Sequence, residues 1–101
     1  MIAMTWPQYE RGEVAIDGRP VKLSPRETVI VALLLMRRGC FVAVNDLIEM
    51  IWPNPDLEPE NAAQGLTVYV CRLRKKLGAD AIENLWGRGF RIPREHEGIA
   101  A

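Results

Sequence analysis

Glu60 to Leu77, ENAAQGLTVYVCRLRKKL, decides the fold, because one continuous helix laid over it sorts the residues onto two faces. At about 100° per residue, Leu66, Val70, Leu73 and Leu77 fall in a narrow arc and form a buried stripe. The far side carries Gln64, Thr67, Val68, Cys71, Arg72 and Lys75. An amide, a guanidinium, small apolar groups and an ammonium suit a helix lying in a DNA major groove, where Arg forks onto guanine, Gln onto adenine, and Val or Thr meets a thymine methyl. The plain alternative is an amphipathic helix whose Arg and Lys are merely solvated.

The totals bound the rest. With 101 residues and 11.4 kDa there is material for one modest core, so a single domain over 1–101 is expected, with loose ends at 1–12 and 94–101 and no linked receiver. A composition of 49% hydrophobic and 26% charged residues excludes a disordered tail. The longest apolar run, Val29 to Met36, is too short to span a membrane, and no basic-then-apolar leader opens the chain; a cytoplasmic protein with no membrane partner is expected. Cys40 and Cys71 lack metal-ligand spacing, which predicts reduced thiols, no metal and no cofactor.

Net charge is zero, a weak argument against a polyanionic partner, but its distribution is uneven. Residues 1–63 hold six Lys/Arg and nine Asp/Glu, a net of −3, whereas residues 64–101 hold seven and four, a net of +3. Positive charge gathers where the groove-suited helix lies. The DNA reading requires Arg72 and Arg91 to point the same way and to be free of carboxylates.

Around that helix the punctuation is clear. EVAI, Asp17-Gly18 and RPVKL read as a hairpin with a two-residue type I′ turn, Val14 opposite Val21 and Glu13 opposite Lys22, with Pro20 on a sheet edge. Residues 2–6 could add one more edge strand, and Trp6-Pro7 breaks any regular pattern. Ser24-Pro25-Arg26-Glu27 is a helix start with a capping box, running to about Arg38 and stopping at Gly39. One arc of this helix (Ile30, Val31, Leu34, Leu35) is core; a second (Val29, Ala32, Leu33, Met36) is also apolar and is either covered within the fold or shared with a partner. A short strand at Phe41-Val42 precedes a helix from Val44 or Asn45 to Trp52, with Leu47, Ile48 and Ile51 inward. The prolines of PNPDLEP, 53–59, exclude a regular helix there. Asn61 and Gln64 could pair as cap and third residue, which would take Gln64 away from a base. IENLWGRGFRIP closes the chain as a hairpin; a two-residue type II′ turn at Gly87-Arg88 sets Leu85 opposite Phe90 and Asn84 opposite Arg91, sends Trp86 outward and calls for a bulge near Ile82 or Glu83.

Hairpin, capped helix, strand, helix, long loop, basic helix and Gly-Arg-Gly hairpin, in this order over residues 13–93, resemble the winged-helix DNA-binding domain of OmpR/PhoB-type response regulators. LSPRE at 23–27, LIEMIW at 47–52, VYVCRLRKKL at 68–77 and GRGFRI at 87–92 carry the likeness. It implies an α+β winged helix-turn-helix: three helices, a short N-terminal antiparallel sheet and a C-terminal β-hairpin wing. It also implies sequence-specific binding of double-stranded DNA by a transcription regulator, with a recognition helix in the major groove and an Arg-bearing wing in the minor groove. On that likeness Thr67, Val68, Cys71 and Arg72 face bases, a choice the helical wheel makes independently, whereas Tyr69 and Arg74 toward phosphates and Arg91 in the minor groove rest on the family. Trp86 and Arg88 complete the wing's share, and Gln64 and Lys75 the helix's.

The departures have consequences. Cys71 and Trp86 stand where arginine is frequent in the family, and Ala43 replaces a hydroxyl cap. Fewer cations predict weaker affinity per domain, which a homodimer on repeated half-sites would offset. RNA polymerase or another regulator is a further candidate partner, although the loop at 53–60 differs too much for a family contact to be carried over. Catalysis is not expected: His96, the sole histidine, has only Glu95 and Glu97 beside it. Cys71 between cations could be a redox-sensitive thiol, against the simpler reading of a small inert side chain. The rival function is a winged-helix protein-interaction module, adaptor or antagonist, using Val29, Ala32, Leu33 and Met36.

Overall fold

A computed structural model describes residues 2–94 of the chain. The sheet at its N-terminal end has three short antiparallel strands in the order β1 (Ile2–Ala3), β2 (Glu13–Ile16), β3 (Arg19–Lys22). Asp17 and Gly18, at φ 50° and 84°, make the turn between β2 and β3, as the left-handed positions of a type I′ turn require. That turn fixes the register read from the sequence: Val14 pairs with Val21 and Glu13 with Lys22, whose ammonium lies 3.8 Å from the carboxylate. Pro20 sits on the outer strand, where a missing N–H costs no ladder bond.

The segment 1–12 was expected to be loose, and over its described residues it is not. After β1, Trp6–Arg11 forms helix α1, so the described residues hold four α-helices where three are expected. Thr5 caps it: its hydroxyl accepts from Gln8 N–H (3.3 Å), and its own N–H donates to the Gln8 side chain (2.8 Å). Pro7 falls in the first turn, where its absent N–H has no partner to lose, so the residue read as a breaker is a starter. The Arg38 guanidinium donates to the Ile2 carbonyl, tying β1 to the segment after the next helix.

Helix α2 (Pro25–Met36) begins at the expected capping box, with Ser24 N–H on Glu27 Oε1 (2.8 Å) and Glu27 N–H on Ser24 Oγ (3.3 Å). It ends at Met36, two residues short of the expected Arg38. Ile30, Val31 and Leu34 are buried while Leu35 is only half-buried. Helix α3 (Val44–Ile51) buries Leu47, Ile48 and Ile51, and Ala43 gives it no side-chain cap. A single turn of 3-10 helix, Pro55–Leu57, lies in the proline loop. Helix α4 (Ala62–Leu77) follows, with Leu66, Val70, Leu73 and Leu77 buried as the periodicity predicts, joined by Ala62. At its far end Lys76 Nζ reaches Glu27 Oε1 at 2.7 Å, bolting the start of α2 to the end of α4.

The closing hairpin is β4 (Glu83–Leu85) with β5 (Gly89–Arg91), and its register is one residue off the expectation. Glu83 pairs with Arg91, Asn84 with Phe90 and Leu85 with Gly89. The tip is three residues, Trp86 to Arg88, closed by Arg88 N–H on the Leu85 carbonyl (2.9 Å), not the two-residue turn. One step of register moves every side chain of β4 to the other face relative to β5. Leu85 is therefore exposed, Ile82, Phe90 and Ile92 share the core face, and the bulge near Ile82 is not needed. Gly89 forces this arrangement: it has φ 110°, and a Cβ there would collide with the Val42 carbonyl. Val42 pairs with Phe90 as an isolated bridge, which is what remains of the expected strand at 41–42.

Candidate nucleic-acid interface

The outer face of α4 is built by the same turn geometry that buries its stripe. Gln64, Thr67, Val68, Cys71, Arg72 and Lys75 are all exposed, and none of them is in an ion pair among the described residues. Asn61 makes no capping hydrogen bond, so Gln64 is not consumed at the helix start. The Thr67 hydroxyl donates to the Ala63 carbonyl at 3.1 Å, which fixes its rotamer. The Arg72 guanidinium lies 5.9 Å from the Tyr69 ring centre, a loose cation–π contact on a half-buried tyrosine. Arg72, Lys75 and Lys76 line a hollow of about 310 Å³ together with Ser24 and Glu27.

Arg74 is placed differently from the expectation. It is half-buried, and its Nε and Nη2 both donate to the Ile82 carbonyl, at 3.1 and 2.9 Å, so it is a strut from α4 to the root of the wing. Helical periodicity could not show this, because its acceptor lies eight residues on, beyond the helix end.

The wing meets α4 across a cleft of about 400 Å³. Ala63 and Thr67 of α4, Trp86 and Arg88 of the wing, and Ala43 to Asn45 at the start of α3 all line it. Trp86 is 96% exposed at the tip, and Arg88 beside it is exposed. Arg91 is not available in the same way. Its Nη2 and Nε donate to Glu83 Oε2 at 3.0 and 3.2 Å, its Nη1 to the Gly39 carbonyl at 3.0 Å, and it stacks 4.7 Å from the Phe41 ring centre. The condition of two carboxylate-free arginines holds for Arg72 and fails for Arg91, so Arg91 drops out of the charge argument for DNA, which is left to the open face of α4 and to Arg88 at the wing tip. A two-residue turn places Asn84 opposite Arg91, and only the three-residue tip brings Glu83 there.

Glu27 is a carboxylate buried against this basic end of α4, at 2% exposure. Burial, the largest influence, pushes its carboxyl up; the Lys76 ammonium and Ser24 together outweigh it and hold the group below its ordinary value.

A separate groove of about 430 Å³ runs between α1, α2 and the end of α3, and Val29, Ala32, Leu33 and Met36 all line it. Trp6, Tyr9 and Met50 complete its apolar wall, so the second arc of α2 is partly roofed by α1, while Met36 stays 81% exposed. Among the described residues no cluster of His, Cys, Asp or Glu could hold a metal ion, and both cysteines are free and exposed. No helix there is long and apolar enough to cross a membrane. His96, Glu95 and Glu97 lie outside the described residues.

Residues 18–92 match the family described as "Transcriptional regulatory protein, C terminal". The transcriptional regulatory protein TctD of Salmonella typhimurium is 34% identical over 92 residues, which are 88% of this chain and 39% of that one. The cell cycle transcriptional regulator CtrA of Caulobacter vibrioides is 32% identical over 93 residues, 87% of this chain and 39% of CtrA. The chain thus spans about two-fifths of the length of these relatives. Among solved structures, the C-terminal domain of the nisin resistance regulator NsrR is 30% identical with a TM-score of 0.69, covering 92% of each chain. The DNA-binding domain of response regulator AdeR, in complex with an intercistronic region, superposes with a TM-score of 0.73 over 92% of this chain and 94% of that one; at 18% identity it speaks for the fold alone.

Proposed function

The chain belongs to the family of transcriptional regulatory C-terminal domains of the OmpR/PhoB type, which bind DNA, and from that premise we propose how it reads its site. Helix α4 lies in the major groove of double-stranded DNA, with Arg72 forking onto a guanine, Gln64 onto an adenine, and Thr67, Val68 and Cys71 against thymine methyls. Lys75 and the Tyr69 hydroxyl take phosphates. The wing enters the adjacent minor groove with Arg88 at its tip and Trp86 beside it; Arg91 and Arg74 stay on their protein partners. What carries this reading is the outer face of α4, six exposed side chains without an ion pair among the described residues, beside a cleft that Arg88 also lines. The protein acts in the cytoplasm without catalysis or cofactor, and a homodimer on repeated half-sites makes up the affinity that one nearly neutral domain lacks.

Titration of salt tests the proposal. Binding to an arbitrary duplex should weaken steeply as salt rises, since each neutralised phosphate releases counterions. Affinity indifferent to salt, or no binding at low salt, would overturn it. Failure at low salt would favour the second reading, a protein-interaction module, which one observation supports: the apolar groove gathers all four residues of the second arc of α2.

A further inference from the structure

We propose that Arg91 is a positioning residue for DNA binding: it fixes the wing root so that Arg88 and Trp86 stand across the cleft from α4, and it does not itself enter the groove. The inference rests on the wing-tip reading given under Proposed function.

Three backbone segments run side by side at the wing root. β4 pairs with β5, and on the other flank of β5 the segment 39–42 bonds through Gly39 N–H to Ile92 O (2.9 Å), Val42 N–H to Phe90 O (2.7 Å) and Phe90 N–H to Val42 O (3.1 Å). Alternation along the middle strand sends Phe90 into the core and Arg91 to the opposite face. There a single guanidinium joins all three segments: Glu83 on β4 by two donors, the Gly39 carbonyl by a third, and the Phe41 ring by stacking. Arg91 is 22% exposed, well below the tip residues. Reaching DNA would forfeit those three hydrogen bonds and the ring contact together.

The wing depends on such a clamp. Strands of three residues joined by a three-residue tip make a hairpin that is marginal by itself in water, so its direction is set by what holds it sideways. Only a planar fork with donors on both edges and a stacking face can serve Glu83, Gly39 and Phe41 at once; an ammonium is a point charge.

The test is a double-mutant cycle with binding measured on a duplex of arbitrary sequence at low ionic strength, and thermal unfolding of each variant recorded beside it. Arg88→Ala should weaken binding about tenfold, the loss of one good contact, and Arg91→Ala and Arg91→Lys should each do nearly the same. Placed on the Arg88→Ala background, neither Arg91 variant should weaken binding further. If Arg91→Ala costs the same factor with and without Arg88, or if lysine restores full affinity, Arg91 acts by its own charge on DNA and the positioning role is wrong. An Arg88→Ala protein that binds like the parent would instead remove the wing-tip reading, and this inference with it. Should Arg91→Ala unfold the chain, Phe41→Leu removes the stacking face and leaves the ion pair; its loss of affinity should likewise vanish without Arg88, and persistence there would overturn the role.

Discussion

Helix α4 and the wing wall the same cleft, yet their arginines keep different company. Arg72 extends from a helix whose neighbours on that face are Val68, Tyr69, Lys75 and Lys76, and no carboxylate shares its arc. Arg91 sits on a strand directly opposite Glu83 and is paired with it. On a helix, exposure follows from sequence spacing alone, because residues three and four apart are neighbours. On a hairpin, the neighbour is chosen by the turn, and a turn of three residues instead of two exchanged Asn84 for Glu83 as the partner of Arg91. Cations on the open arc of α4, Arg72 and Lys75, follow from spacing, whereas Arg74 at its edge and the arginines of the wing depend on which segment lies beside them.

The comparison can be broken at its root by Leu66→Ala. Leu66 is fully buried in the stripe of α4, so truncation should cost about 2 to 5 kcal/mol in denaturant unfolding and take the helix face and the wing down together. A loss under about 1 kcal/mol would mean the stripe is not the core. Gly89→Ala should strike the wing selectively: the clash with Val42 and the positive φ should destabilise by roughly 2 kcal/mol or more, with the larger change in wing resonances than in those of α4.

Arg72→Ala sharpens the contrast between the two walls. It should cost about 1 to 3 kcal/mol in binding to a selected site and relax base preference at one position, with folding stability unchanged. A uniform loss across all sequences would assign Arg72 to phosphate and not to a base.

Glu27 offers the smallest effect and a definite sign. Because its folded carboxyl is held below the ordinary value, its contribution is complete above the unfolded value near about 4.3 and fades as pH falls through the lower folded one. Glu27→Gln should therefore be less stable than the parent at neutral pH, with the gap narrowing as the solution is acidified below about pH 4. A gap that widens in acid would mean the Lys76 bond does not control this carboxyl.

Much of this was legible in the chain itself, for reasons that are local. The Ser24-to-Glu27 capping box, the Asp17-Gly18 turn with its register, and four of the five buried residues of α4 each depend on residues within a turn or two of one another. The order of the elements follows from the same local signals, and that order carries the family likeness. Helix α1 is equally local, since Thr5 and Gln8 form a capping box and a proline in a first turn starts a helix, whereas the Trp6-Pro7 pair by itself predicts a break.

Sequence alone, then, determined where α2, α3 and α4 begin, which side of each enters the core, and which cations stand on the open face of α4, because backbone hydrogen bonding within a helix makes neighbours of residues close in the chain. Only the tertiary structure decided that Arg74 braces the wing through Ile82, that Arg91 is held by Glu83, Gly39 and Phe41, and that the second arc of α2 lines a groove beneath α1. Those outcomes join segments separated by a turn of undetermined length or by tens of residues, and which donor meets which acceptor is settled by packing the segments against one core.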